Sequence, residues 1–151
     1  MANLSGANPN LTNADASMRV SDAVDDLLRV GTFAAISSST NGTGIAFKAE
    51  KARSYRGVVA YSQVDVDDDS NNWVVSVRAA DNASYTNEVT LASVRLQSGS
   101  GTVTDYLALD GPAAASLMEA AGEDEALYVR AVATKTGTVA ALTAKVYLTC
   151  D

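Results

Sequence analysis

Trp73-Val74-Val75-Ser76-Val77-Arg78-Ala79 is the stretch that decides the fold. Trp73, Val75, Val77 and Ala79 fall on one face and Ser76 and Arg78 on the other, the period-two pattern of a strand with one face against a core. Outward from it, short β-prone runs recur, separated by Gly, Asn, Asp and Ser: Phe33 to Ser37, Gly44 to Lys48, Tyr55 to Val66, Val89 to Gln97, Thr102 to Leu109, Ala126 to Thr134 and Thr138 to Cys150. Eight short strands with turn signals at this frequency predict an all-β fold, an antiparallel jelly-roll-like β-sandwich, rather than alternating α/β units. In Tyr55 to Val64 both faces carry Val or Tyr, as in a strand covered by the second sheet inside and by another subunit outside.

Two short helices are expected beside the strands. Between Met18 and Val30, Val20, Val24, Leu27 and Leu28 recur at helical spacing, with Asp22, Asp25, Asp26 and Arg29 opposite. Ser21 would cap that helix and Gly31 would close it in the left-handed conformation. The second, a connecting helix, runs over residues 110–122, with Pro112 near its start and Gly122 at its stop. Residues 1–17 are small and polar around isolated Leu4 and Leu11, too little apolar surface to offset the entropy of ordering. They read as an extended arm, ordered by lying across a neighbouring subunit, ahead of a single sandwich domain over residues 18–151.

Composition narrows the function. Of 151 residues, 71 are hydrophobic, but 27 of those are alanine, leaving 44 larger ones. That is enough for one domain of modest stability, or for one that buries further surface against copies of itself. With no histidine, there is no His-based triad, His metal site or imidazole proton shuttle, and the lone Cys150 cannot form an intrachain disulfide. Serine nucleophile motifs are missing too, so the chain reads as a non-enzyme with no cofactor. Gly42-Thr-Gly44 and Gly99-Ser-Gly101 read as turn glycines, since neither opens a helix after a strand. The net charge of −7 opposes binding to nucleic acid, for which Lys48, Lys51, Arg53 and Arg56, diluted by Glu50, make at best half a basic stripe. No stretch approaches the roughly 18 apolar residues of a membrane span, and the first residues lack the pattern of an export signal, so neither a membrane nor secretion is expected.

Two polar or aromatic sets invite a ligand. Asp65, Asp67 and Asp69 imitate the first half of an EF-hand loop, but Ser70 stands where that loop needs Gly and Ser76 where it needs a bidentate Glu. The expectation is therefore no metal, with those three aspartates as a weak calcium candidate beside the plainer reading of a solvated hairpin loop. Trp73, Tyr55, Tyr61, Tyr85, Tyr106, Tyr128 and Tyr147 could form a sugar-binding platform, yet their spread over separate strands fits core and interface packing better.

The last hairpin, Ala126-Leu-Tyr-Val-Arg-Ala-Val-Ala-Thr-Lys-Thr-Gly-Thr-Val-Ala-Ala-Leu-Thr-Ala-Lys-Val-Tyr-Leu148, resembles the last two strands of small β-sandwich virion proteins of tailed bacteriophages. The resemblance extends back through Trp73 to Asp81 with its Tyr85-Thr-Asn turn, the acidic loop, and Tyr55-Arg-Gly-Val-Val-Ala-Tyr61, covering about residues 32–149. It departs from that group after Gly137, where Val139-Ala-Ala stands in place of an expected Pro. The resemblance implies a capsid decoration (cement) protein, an oligomer and specifically a homotrimer, that clamps the major capsid protein from the outer surface of the virion after synthesis in the host cytoplasm. Leu4 and Leu11 on the arm, and Lys48, Lys51, Arg53 and Arg56, are the docking candidates. A tail or fibre component on the same fold and a carbohydrate-binding module are the alternatives.

Overall fold

The computed structural model describes residues 29–47, 55–109 and 127–150. It holds β1 (Arg29–Ile36), β2 (Thr40–Asn41), β3 (Ile45–Phe47), β4 (Tyr55–Val64), β5 (Asn72–Ala80), β6 (Val89–Arg95), β7 (Gly99–Tyr106), β8 (Leu127–Thr136) and β9 (Leu142–Cys150). All pairings are antiparallel, in two sheets. Sheet I has the order β1-β9-β4-β7; sheet II has β2-β8-β5-β6, with β3 also on β8. The all-β expectation holds, in a sandwich-like arrangement of two sheets around one core.

The deciding stretch becomes β5, at the centre of sheet II. Trp73, Val75, Val77 and Ala79 are buried to between 0 and 3% exposure, opposite Val129, Ala131 and Ala133 of β8 along the same face. From sheet I, Val59, Tyr61, Val146 and Leu148 complete the core. The Trp73 indole N–H donates to the Ala140 carbonyl at 2.9 Å, so the largest core side chain also anchors the β8–β9 turn. Small residues set the spacing between layers. A methyl on Gly57 would lie 3.1 Å from Val77 Cγ2, and one on Gly31 would lie 2.8 Å from the Ala131 Cβ.

Several boundaries differ from the sequence expectation. Arg29 and Val30, the end of the expected first helix, are instead the start of β1: Arg29 pairs with Tyr147, and Val30 is fully buried. Gly31 is therefore no helix cap but a strand residue, whose missing side chain lets β1 approach β8. Tertiary burial of Val30 overrides a local helical period there. Gly99 and Gly101 are strand residues too, paired with Val64 and Tyr61, so β7 begins three residues earlier than expected and ends at Tyr106. β9 begins at Leu142, because the residues before it form a turn fastened to the acidic loop. Thr40–Asn41 adds a short unexpected strand. The arm at residues 1–17, the rest of the first helix and the helix at residues 110–122 lie outside the described residues.

Candidate functional site

The outward face of sheet II carries a charge network. The β5–β8 register sets Arg78 directly opposite Arg130, a like-charge pair that is unfavourable unless neutralised. Glu88, from the β5–β6 connection, supplies the neutralisation. Its carboxylate accepts two bonds from Arg130, at 3.0 and 3.2 Å, and one from Arg78 at 3.3 Å. The Arg130 guanidinium carbon also lies 4.2 Å from the centre of the Tyr85 ring. Tyr85 reaches from the same connection across β8, its hydroxyl donating to the Val129 carbonyl at 3.4 Å. It occupies the space that a side chain on Gly44 would need, since a Cβ there would fall 2.0 Å from the Tyr85 oxygen. Burial raises the Tyr85 pKa above the usual phenol value, so it stays a neutral donor. Asn82 holds the connection in place by accepting from the backbone N–H groups of Ser84 and Thr86, each at 3.1 Å.

The acidic loop is likewise self-contained. Asp68 accepts from the backbone N–H of Ser70 at 2.8 Å and of Asn71 at 2.9 Å, and the Ser70 bond is the first cause of its lowered pKa. Asp67 and Asp69 both receive the Arg95 guanidinium, the Asp69 contact at 2.9 Å, and these bonds raise the arginine's pKa. Asp65 turns away to accept from the Ala140 N–H at 2.9 Å. Of the three calcium candidates, Asp67 and Asp69 share Arg95 while Asp65 serves Ala140, and among the described residues no three His, Cys, Asp or Glu side chains are grouped to hold a metal ion. Asn71 Oδ1 accepts from the Thr138 N–H at 2.8 Å, which ties this loop to the β8–β9 turn.

The outward face of sheet I is different in character. Arg56, Val58, Ala60 and Ser62 of β4 stand beside Thr149, Tyr147, Lys145 and Thr143 of β9, with Thr104 and Thr102 of β7 and Thr32 of β1 alongside. Arg29, Arg56 and Lys145 are cationic, and among the described residues no carboxylate shares the face: Asp105 of β7 pairs with Gly57, on the inward side. Tyr106 lies 58% exposed at the edge, its ring centre 5.8 Å from the Arg56 guanidinium carbon. Charge is partitioned along the chain as well. The described residues hold seven acidic and seven basic side chains, so the whole net charge of −7 lies in the other segments, above all residues 110–126 with five acids and no base.

Of the docking candidates read from sequence, Arg56 stands on this face; Leu4, Leu11, Lys48, Lys51 and Arg53 lie outside the described residues. Of the seven aromatics, Trp73, Tyr55 and Tyr61 are buried core residues, Tyr85 is spent on Arg130, and the remainder do not form one platform. Sequence reasoning missed Glu88 as the partner of two arginines, since only the β5–β8 register makes Arg78 and Arg130 neighbours. Comparison with protein-family models, with curated proteins and with solved structures finds no match.

Proposed function

We propose that this chain is a structural virion protein, a capsid decoration protein with a jelly-roll sandwich, that oligomerises as a homotrimer and reinforces the shell by bridging major capsid subunits. The strand order supports the jelly-roll reading: with β2 and β3 counted as one interrupted strand, every connection except β5 to β6 crosses between the sheets. The observation that carries the functional reading is the outward face of sheet I, where Ala60, Ser62, Thr102, Thr104, Thr143 and Thr149 put small side chains side by side across three strands. Small side chains of this kind suit close packing against the surface of another protein, with Lys145 among them favouring an acidic one. In sequence the basic stretch Lys48, Lys51 and Arg53 leads into that face at Arg56.

The mechanism is mechanical. Bridging adjacent capsomers adds binding free energy to the assembled shell alone, and several weak contacts on one shell act as a single strong attachment. Electron microscopy of purified particles mixed with the protein tests this reading. Regular density on the outer shell is expected, lost or weakened on Arg56→Glu with Lys145→Glu. Bare shells at saturating protein overturn it. Removing residues 1–17 tests the arm separately, since a truncated protein that trimerises and decorates normally excludes a role for Leu4 and Leu11.

A further inference from the structure

The sheets end in exposed edges, and three of the four are blunted. β1 carries two register shifts, between Arg29 and Gly31 and between Phe33 and Ile36. The edge formed by β2 and β3 is broken into pieces of two and three residues. β6 shifts register against β5 and has a backbone acceptor occupied, as the Ala108 N–H bonds to the Leu91 carbonyl at 2.9 Å. Among the described residues, β7 has none of these protections along most of its length. It runs in unbroken register with β4 from Tyr106 to Gly101, is exposed at all of its eight residues except Val103, and contains neither Lys nor Pro. An open, regular edge of this kind is a template for another strand.

We infer that β7 is a self-association edge, pairing antiparallel with β7 of a second copy about a two-fold axis through Val103. Residue parity fixes that register. A two-fold axis perpendicular to a continuous sheet keeps inward residues opposite inward ones, so the axis must pass through a residue rather than between two. With Val103 on the axis, Val103 faces its own copy, Thr102 faces Thr104, Ser100 faces Tyr106, and Gly101 faces Asp105. The single charged residue of the strand then meets a glycine rather than another carboxylate, and the Thr pairs and Val pair are favourable cross-strand neighbours. Centring on Thr104 would instead set Asp105 against Val103. Val103 also lines the small cleft between the sheets with Val59, Val77 and Val94, so the axis falls on the one half-buried residue of the strand. Edge pairing makes sheet I continuous across two copies, and as a two-fold contact it is distinct from any three-fold assembly of the chain. Two eight-residue edges bury less than the roughly 1,200 Å² of a standard interface, so the association is weak and concentration-dependent.

Site-specific cross-linking reads the register directly. In a Cys150→Ser background, Val103→Cys places two thiols across the axis at a Cα separation of about 4.5–5.5 Å, suited to a disulfide. Thr102→Cys would lie opposite Thr104 of the second copy, leaving its own copy about 7–8 Å away on the diagonal. Under mild oxidation, Val103→Cys should give mostly a band of twice the chain mass on a non-reducing gel. Thr102→Cys and Thr104→Cys should each give several-fold less alone and recover the band when mixed. Equal cross-linking by Val103→Cys and Thr102→Cys, or none by Val103→Cys in protein shown folded by circular dichroism, overturns the inference. A measurement without cysteines guards against a folding defect: Thr102→Lys with Thr104→Lys should lower self-association in sedimentation, and mixing with the double Glu variant should restore it. No change in either arm refutes the edge contact.

Discussion

Gly31→Ala tests the packing between layers. A Cβ on Gly31 would lie 2.8 Å from the Cβ of fully buried Ala131, against an ordinary carbon contact of about 3.5–4.0 Å. β1 must move from β8 by something near an ångström, and overpacking of this kind costs about 1–3 kcal/mol. For a chain of this length that lowers Tm by about 2–12 °C. Ala131→Gly alone forfeits a buried methyl, about 0.8 kcal/mol, and adds about 0.5–1 kcal/mol of backbone entropy. It also removes the atom that the new methyl strikes. The double variant should therefore be more stable than the sum of the single losses by about 1–2 kcal/mol, measured by urea denaturation of all four proteins in a double-mutant cycle. Were Gly31 a left-handed helix cap, as its local sequence invites, Gly31→Ala would still cost about 1 kcal/mol through backbone strain, but independently of Ala131. Additivity within about 0.5 kcal/mol would refute the strand assignment and the contact together.

Three further outcomes follow from the polar clusters. Glu88→Ala leaves Arg78 and Arg130 facing each other across the β5–β8 pair; because the group is partly exposed, the loss should be about 1–2 kcal/mol rather than the 3–5 of a fully buried pair, read by chemical denaturation. Asp68 has a lowered pKa in the folded state, so its contribution is present above the unfolded carboxylate value and is lost as pH falls through the folded value. Melting curves from pH 6 down to pH 2 should show that loss in the native protein and a shallower one in Asp68→Asn, whose amide oxygen still accepts the turn N–H groups. Calcium should give neither heat in calorimetric titration nor a shift in Tm, because Asp65, Asp67 and Asp69 are engaged by Ala140 and Arg95; a saturable rise in Tm refutes that assignment.

The alternation in Trp73 to Ala79 made one strand and its core face legible, and β-prone runs between Gly, Asn, Asp and Ser located the other seven expected strands. It works because a half-buried strand sorts its side chains by solvent face, residue by residue, with no need of a partner's identity. Where one residue type serves two structures, the sequence misled. Gly31 suits a helix end and a close strand crossing equally, and Gly99 and Gly101 suit a turn and an edge strand. The alanine excess is similarly ambiguous: Ala131 and Ala133 are fully buried beneath the second sheet, so part of what reads as a thin core is the packing that lets the layers approach. The candidate surfaces were less visible still. Arg56 was singled out within a basic run, but its partners on the outward face, Tyr106 and Thr149, come from strands dozens of residues away.

What the sequence by itself determined is therefore local: strand period, the lack of histidine chemistry, and the uneven distribution of charge. What the tertiary structure alone decided is which strands are neighbours and in what register. Register places Arg78 against Arg130 and makes Glu88 necessary, brings Arg95 to Asp67 and Asp69 while Asp65 turns to Ala140, and leaves β7 with an open edge. Alternation depends on each residue's own preference for water or core, whereas pairing depends on long-range contacts between segments, and no single segment encodes its partner.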